Sequence, residues 1–252
     1  MEVYFLGRAP YQPTWELQER LRARVLRGGP EALLLCEHSP VLTLGRSATE
    51  ADILAGRELL ATHGVEVQRS SRGGQVTYHG PGQLVVYPIV RLQRGVVAHV
   101  EWLAGAAIDL AASYGLSAHF DRDQVGVWLG RRKLAAIGVH VSRRVTIHGM
   151  AINIRREATL PFAQRWFVPC GNPQGRAISL EEALASPDEP HENIETAQAA
   201  DQAACTPASR PALSVESAAE RLLPLLLRRA QHEPRVAERT SVALLSQSLF
   251  VE

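Results

Sequence analysis

The thiol of Cys170 is the side chain in this sequence best suited to act as a nucleophile. It lies between Pro169 and Gly171, in a loop-like setting where a thiol can be exposed and backbone N–H groups can converge on it. Cys36 lies in an apolar run typical of a packed thiol, and Cys205 lies in a low-complexity segment. The residue type predicts thiolate chemistry at Cys170. The alternative of a purely structural cysteine stays open at this point.

Lys133 is the one lysine in a chain with 27 lysine and arginine residues. Arginine keeps its proton in proteins, whereas a lysine amine that is removed from water can lose it. The following residues, LAAIGVHV, are typical of a buried strand, so a lysine at their start can point inward. The residue type therefore indicates a role that needs a titratable amine. The alternative is a solvated lysine in a hairpin, next to Arg131 and Arg132.

A glycine-rich segment supplies the third candidate feature. Four glycines occur among the twelve residues 72–83, and they allow the backbone to approach a ligand closely. No Gly-Lys-Ser/Thr follows, and the segment leads into a strand, so it is neither a Walker loop nor a dinucleotide fingerprint. We interpret it as a binding loop, with an ordinary tight turn as the alternative. The interleaved Arg72, Thr77, Tyr78 and His79 supply polar side chains that could bind an acyl carbonyl or a phosphate.

Composition argues against several other functions. The formal net charge is +1 and no block of like charge occurs, so nucleic acid is not an expected partner. Three cysteines without a CxxC pair do not indicate a disulfide framework or a zinc site. His79, His140 and His148 have no second ligand at metal-binding spacing, so we expect no metal and no cofactor. We find neither a signal peptide nor a membrane-spanning run, and we expect a cytoplasmic protein, as a monomer.

The elements that must position these residues follow from apolar spacing. Apolar periodicity predicts helices over 14–28, 57–63 and 96–114, closed by glycine. Alternating or β-rich runs predict strands over 65–69, 84–90, 124–129, 133–142 and 145–154, and two short strands around the turn at 37–40. Hairpin-connected strands mixed with helices indicate an α+β fold.

The composition shifts near residue 185. We predict a catalytic domain over 1–184, a low-complexity and flexible insert over 185–213, and a C-terminal helical segment over 214–252 that packs on the same domain. Pro224 is expected to break or kink the terminal helix.

Several separated motifs together resemble one known family. RGGQVTYHGPGQLVVYP at 72–88 is similar to the signature of the lipoyl(octanoyl) transferases of lipoate biosynthesis. The similarity extends to HSPVLTLGR at 38–46, GVW at 126–128, KLAAIG at 133–138, TIHGMAIN at 146–153 and PCG at 169–171. It covers roughly residues 1–183 in the expected order.

The resemblance implies a fold, an activity and a set of site residues. It implies mixed sheets with flanking helices, similar to the catalytic domain of biotin and lipoate protein ligases. It implies transfer of an octanoyl group from octanoyl-acyl carrier protein to a lysine of lipoyl domains, in 2-oxoacid dehydrogenases and the glycine cleavage H protein. A Cys/Lys dyad would fall on Cys170 and Lys133, with an acyl-cysteine intermediate. Substrate contacts would fall on Arg72–His79 and on Ala136, Ile137, Gly138, Gly149, Met150 and Ala151.

Three alternatives remain at this point. An ATP-dependent lipoate or biotin ligase shares the predicted fold but needs no nucleophilic cysteine. A thioesterase would use the same thiol and pass the acyl group to water. A non-catalytic module would bind lipoyl domains without forming a covalent intermediate.

Overall fold

The computed structural model describes residues 1–169, 176–186, 213–230 and 235–239. Its helices are α1 (Tyr11–Leu26), α2 (Arg57–Thr62), α3 (Val96–Ala112), α4 (Leu160–Ala163), α5 (Leu180–Ala185) and α6 (Val215–Ala230). Its strands are β1 (Glu2–Ala9), β2 (Ala32–His38), β3 (Val41–Leu44), β4 (Glu66–Arg69), β5 (Val76–His79), β6 (Gln83–Ile89), β7 (His119–Asp121), β8 (Gly126–Leu129), β9 (Arg132–Ser142), β10 (Val145–Asn153), β11 (Arg176–Ala177) and β12 (Arg235–Arg239).

One large mixed sheet organises the chain. Its strand order is β12-β1-β2-β6-β10-β9-β8-β7, and the short β11 pairs with β9. The pairs β12–β1, β1–β2 and β11–β9 are parallel, and the other neighbours are antiparallel. This mixture of hairpins and helix-linked strands confirms the predicted α+β class.

Helices cover both faces of the large sheet. On one face α1 packs Leu17 and Leu21 against the sheet, beside Tyr87 and Ile147. On the other face α3, α5 and α6 form a second core that contains Leu103. Because both faces are covered, β2 and β6 read as nearly continuous apolar runs without alternation.

A small second sheet, in the order β4-β3-β5, stands beside the large one. Its core includes Leu42, Tyr78, Trp166 and Phe167. The two short strands predicted around residues 37–40 are present, but they belong to different sheets, since β2 pairs with β1 and β6 while β3 pairs with β4 and β5. Turn residues in a sequence indicate where a strand ends, but they do not indicate which other strand it pairs with.

Residues 76–79 form strand β5, although the sequence predicted only a glycine-rich loop there. Val-Thr-Tyr-His consists of residue types that favour strands, and the glycines on either side obscured that preference. The strand pairs antiparallel with β3, so it anchors the end of the loop to the small sheet.

The C-terminal part departs from its prediction at Pro224 and at residues 235–239. Helix α6 continues through Pro224 without the predicted break, and a kink there stays a prediction. Residues 235–239, inside the segment predicted to be helical, form β12, parallel to β1. Most of the predicted insert, residues 187–212, lies outside the described residues, so the domain boundaries stay predictions. Within the described ranges, every helix is too short or too polar to span a bilayer.

Candidate active site

A cavity of about 350 Å³ brings most of the predicted site residues together. Its walls come from α1, the glycine-rich segment, β5 of the small sheet, and β6, β9 and β10 of the large sheet. The predicted residues on its walls are Arg72, Gly73, Gly74, Gln75, Thr77, His79, Lys133, Ala136, Ile137, Gly138, Gly149, Met150 and Ala151. Residues that the sequence did not assign to the site also line it, namely Tyr11, Ser47, Val85, Tyr87, Asp123, Gln124, Val125 and His148.

The glycines of the site permit close backbone approaches. A Cβ atom at Gly45 would lie 2.3 Å from the carbonyl oxygen of Gly74, and one at Gly138 would lie 3.2 Å from that of Gly73. The Gly73 N–H donates to the Val139 carbonyl at 3.1 Å, which fastens the loop to β9. Glycine is therefore required here for contact between backbones.

Arg72 is buried and braces the loop from within. Its guanidinium donates to the Thr43 carbonyl at 2.6 Å, to Thr43 Oγ1 at 2.7 Å and to the Gly73 carbonyl at 3.0 Å. These bonds tie the cavity wall to β3. The predicted binding arginine thus also has a structural task that residue type alone did not reveal.

The side chains of the predicted binding run alternate in direction along β5. Successive side chains of a strand point to opposite sides. Thr77 and His79 face the cavity, whereas Val76 and Tyr78 are buried in the core of the small sheet. Val76 also lines the small hollow that contains Lys133 and Pro169, and the binding run that the resemblance implies over residues 72–79 stays a prediction.

Lys133 is the second residue of β9 and is 9% exposed. Its Nζ donates to the Val125 carbonyl at 3.3 Å and lies 4.7 Å from the centroid of the Trp128 ring. A Cβ atom at Gly126 would lie 3.0 Å from Lys133 Cε, so this glycine leaves room for the lysine stem. The amine therefore lies at the cavity wall, largely removed from solvent.

The structure describes one of the three cysteines, Cys36. Cys170 and Cys205 lie outside the described residues. Pro169, the neighbour of Cys170, lines a small hollow of about 20 Å³ together with Lys133 and Ala136. Cys36 is buried in β2, and burial raises the pKa of its thiol, which keeps it protonated and inert.

Neutral histidines lie beneath and within the cavity walls. His38 Nδ1 donates to the Ala9 carbonyl at 2.8 Å, so its Nε2 accepts from the Tyr87 hydroxyl at 2.8 Å. His148 Nε2 is 3.0 Å from Ser71 Oγ. Burial lowers the pKa of His38 to about 4 and that of His148 to about 3. Among the described residues, no three His, Cys, Asp or Glu side chains are grouped to hold a metal.

Acid should destabilise this fold between about pH 6.5 and pH 4. Unfolded histidines titrate near pH 6.5, so below that value the unfolded chain binds protons that folded His38 and His148 do not. The free energy of unfolding is therefore largest above pH 6.5 and falls with acidification, by about 3 kcal/mol for His38 alone. Denaturant titrations at several pH values measure this fall.

A His38→Asn variant is the control for that pH dependence. Asparagine can still donate to the Ala9 carbonyl but takes up no proton, so the decline with acid should be shallower. An unchanged slope in this variant would contradict the assignment to His38.

Comparison with known proteins agrees with this architecture. Residues 10–202 match the lipoyl protein ligase A/B catalytic domain family, and the chain belongs to that family. Its relatives include the octanoyltransferase of Solibacter usitatus, 46% identical over 66% of this chain and 76% of the relative. The octanoyltransferase of Acidobacterium capsulatum is 40% identical over 75% of this chain and 82% of the relative. Within the family the chain groups with the octanoyltransferases and is an acyltransferase.

Solved structures of low sequence identity share the fold. A lipoate-protein ligase A bound with ATP superposes with a TM-score of 0.69 at 12% identity, over 99% of this chain and 94% of that one. The bipartite lipoate protein ligase of Thermoplasma acidophilum gives a TM-score of 0.65 at 13% identity, over 99% and 91%. These likenesses confirm the predicted ligase-like fold.

Proposed function

We propose that this protein transfers an octanoyl group from acyl carrier protein to a lysine of a lipoyl domain, through a thioester on Cys170. The observation that carries the proposal is the position of Lys133. The single lysine of the chain lies nearly buried on a cavity wall, and Pro169 lines the hollow beside it. The octanoyltransferase relatives support octanoyl as the transferred group. The chemistry of the Cys170 thiol and the Lys133 amine supports a route through a thioester.

The first step exchanges one thioester for another. The Cys170 thiolate attacks the carbonyl carbon of the donor thioester, a new C–S bond forms, and the carrier thiolate leaves. This step is close to energetically neutral, so it requires no ATP. A cysteine thiol with its ordinary pKa near 8.5 is only a few per cent thiolate at neutral pH. We assign to Lys133 the proton that Cys170 loses. Lys133 then gives this proton to the leaving carrier thiolate, which departs as a thiol and leaves Lys133 neutral for the second step.

The second step forms an amide. The acceptor lysine attacks the acyl-Cys170 carbonyl, a C–N bond forms, the C–S bond breaks, and the amine nitrogen must lose a proton. Lys133 can take up that proton when it is neutral, whereas arginine cannot. The oxyanion that develops requires N–H donors, and the glycine-rich segment on the cavity wall is our candidate for them.

An apolar part of the cavity suits the acyl tail. Val85, Ile137, Met150 and Ala151 contribute to its walls, so a medium-length hydrocarbon chain can leave water there. The donor would be octanoyl-acyl carrier protein, and the acceptors would be lipoyl domains. The T. acidophilum structure is described together with its E2 lipoyl domain, which supports that class of acceptor. We propose that the protein acts as a monomer.

Intact-protein mass spectrometry tests the proposal. After incubation with octanoyl-acyl carrier protein and no acceptor, we expect one octanoyl adduct, and peptide mapping should locate it on Cys170. A Cys170→Ser variant should show no thioester adduct, while a Cys36→Ser variant should behave as the unaltered protein. Addition of lipoyl domain should remove the adduct and octanoylate the domain without ATP.

Three outcomes would contradict the proposal. An adduct on Cys36 or Cys205 would move the nucleophile. A requirement for ATP, with free octanoate as the substrate, would favour a ligase, whose fold this chain shares. Release of free octanoate in the presence of the lipoyl domain would indicate a thioesterase.

A further inference from the structure

Two buried amides connect the His79 ring to the backbone that carries Lys133. His79 Nδ1 lies 2.7 Å from Gln83 Oε1, and Gln83 Nε2 donates to Asn153 Oδ1 at 3.0 Å. Asn153 Nδ2 then donates to the carbonyl oxygens of Lys133 at 3.4 Å and Ile178 at 3.3 Å. Gln83 and Asn153 are 2% and 4% exposed, so solvent does not compete for these bonds.

Backbone carbonyls determine which way both amides point. A carbonyl oxygen can only accept, so the amide nitrogen of Asn153 must face Lys133 and Ile178. The nitrogen of Gln83 likewise faces the Tyr78 carbonyl, at 3.3 Å. Turning either amide over would bring oxygen against oxygen inside the protein, where an unpaired polar group is costly. Gln83 therefore presents its oxygen to the ring.

This arrangement selects one tautomer of His79. Its Nδ1 must carry the hydrogen that Gln83 Oε1 accepts, so its Nε2 is left unprotonated. Nε2 makes no hydrogen bond within the part of the chain that the structure describes, and the ring lines the cavity. Tyr11 stacks on it at 6.1 Å between centroids and 10° between planes, which holds the ring plane.

We propose that Gln83 and Asn153 are positioning residues that fix the His79 tautomer, so that the cavity presents a hydrogen-bond acceptor to the acceptor amine. The inference rests on the proposed function. An amine that attacks a carbonyl directs its lone pair at carbon and its N–H bonds away from it. An acceptor on the cavity wall orients one of those N–H bonds. Burial also lowers the pKa of His79, so the ring stays neutral and accepts a hydrogen bond without taking up the proton.

The tautomer can be observed directly. In the ¹⁵N spectrum of histidine-labelled protein, assigned with a His79→Phe variant, we expect His79 with Nδ1 protonated and Nε2 unprotonated. A Gln83→Met variant removes the oxygen that selects this form, so we expect the Nε2-protonated form to appear. Gln68→Met, the same change on β4 away from the cavity, should leave the spectrum of His79 unaltered.

Separate measurement of the two half-reactions distinguishes positioning from a merely structural role. In His79→Phe and Gln83→Met, formation of acyl-Cys170 should slow at least tenfold less than transfer to the lipoyl domain, because the first step involves no amine nucleophile. Transfer from isolated acyl-enzyme to the lipoyl domain should slow by roughly ten- to a hundredfold, as expected for loss of a buried hydrogen bond. Gln68→Met should change neither rate.

Specific results would overturn the inference. An Nε2-protonated His79 in the unaltered protein would do so, and that measurement requires no variant to fold. Equal slowing of both half-reactions would assign the amide chain a structural role. If no acyl-Cys170 forms even in the unaltered protein, the proposed function fails, while the tautomer measurement still tests the amide chain itself.

Discussion

Replacing Lys133 by arginine should abolish octanoyl transfer while leaving the fold intact. Arginine retains the positive charge but cannot release its proton, so both proposed proton transfers are lost. General acid–base groups contribute about 10²- to 10⁴-fold to rates, and we expect a loss within that range. The measurement is the rate of acyl-Cys170 formation and the rate of transfer to the lipoyl domain, each followed by mass spectrometry.

The neighbouring Arg132 provides a matched control. It precedes Lys133 on β9, so its side chain points to the opposite side of the strand. Arg132→Lys should leave transfer unaltered. The double variant, in which the two residues exchange types, keeps the numbers of lysine and arginine but moves the amine to the wrong side, and it should be as inactive as Lys133→Arg. Full activity of Lys133→Arg would refute the proton-transfer role.

Chemical rescue separates the amine from the side chain that carries it. Lys133→Ala empties the space above Gly126 and beside Trp128. A small primary alkylamine should restore part of the transfer rate in this variant. The restored rate should depend on the pKa of the added amine. It should not rescue Lys133→Arg, because the guanidinium still occupies the site.

The elements near the site were predictable because their signals are local. The lengths of α1 and α3 and the hairpin from β9 to β10 follow from apolar spacing and from the Arg143–Arg144 turn. Both turn residues adopt positive φ, of 48° and 67°, as expected for a two-residue hairpin loop. Lys133 was identified by residue type, since all the other residues in the chain's lysine and arginine count are arginine.

Other features depend on contacts that no local pattern carries. The separation of β2 and β3 into two sheets depends on partners that lie far along the chain. The bracing of the glycine loop by Arg72 depends on Thr43, 29 residues away. The amide chain joins Gln83 to Asn153 across 70 residues, and it ends at backbone carbonyls that a sequence does not display. Residue types indicated candidate reactive groups, and tertiary contacts determine how the described ones, such as Lys133, are held.

One added methyl group at Gly149 should destabilise the large sheet. A Cβ atom there would lie 2.2 Å from the Val86 carbonyl oxygen and 2.8 Å from Pro88 Cδ, in the middle of the large sheet. The preceding His148 has φ of 60°, and its N–H donates to Gln18 Oε1 at 2.7 Å. Pro88 on β6 has no N–H to donate, which removes one strand bond where β10 departs from regular geometry.

Gly149→Ala must therefore push β10 away from β6, because both contacts are on atoms of neighbouring residues that cannot rotate away. We expect the free energy of unfolding to fall by about 3 kcal/mol, the upper end of ordinary overpacking, and Tm to fall by roughly 6–12 °C. Gly56→Ala is the matched control, since a Cβ atom there has open space and its φ of −62° suits alanine, and it should change stability by less than about 1 kcal/mol.

Gly149, Met150 and Ala151 all line the cavity, so transfer should slow even in the molecules that remain folded. A Gly149→Ala protein as stable as Gly56→Ala would mean that β6 and β10 can separate freely, and the cavity wall would then not be the rigid surface on which the proposed positioning depends.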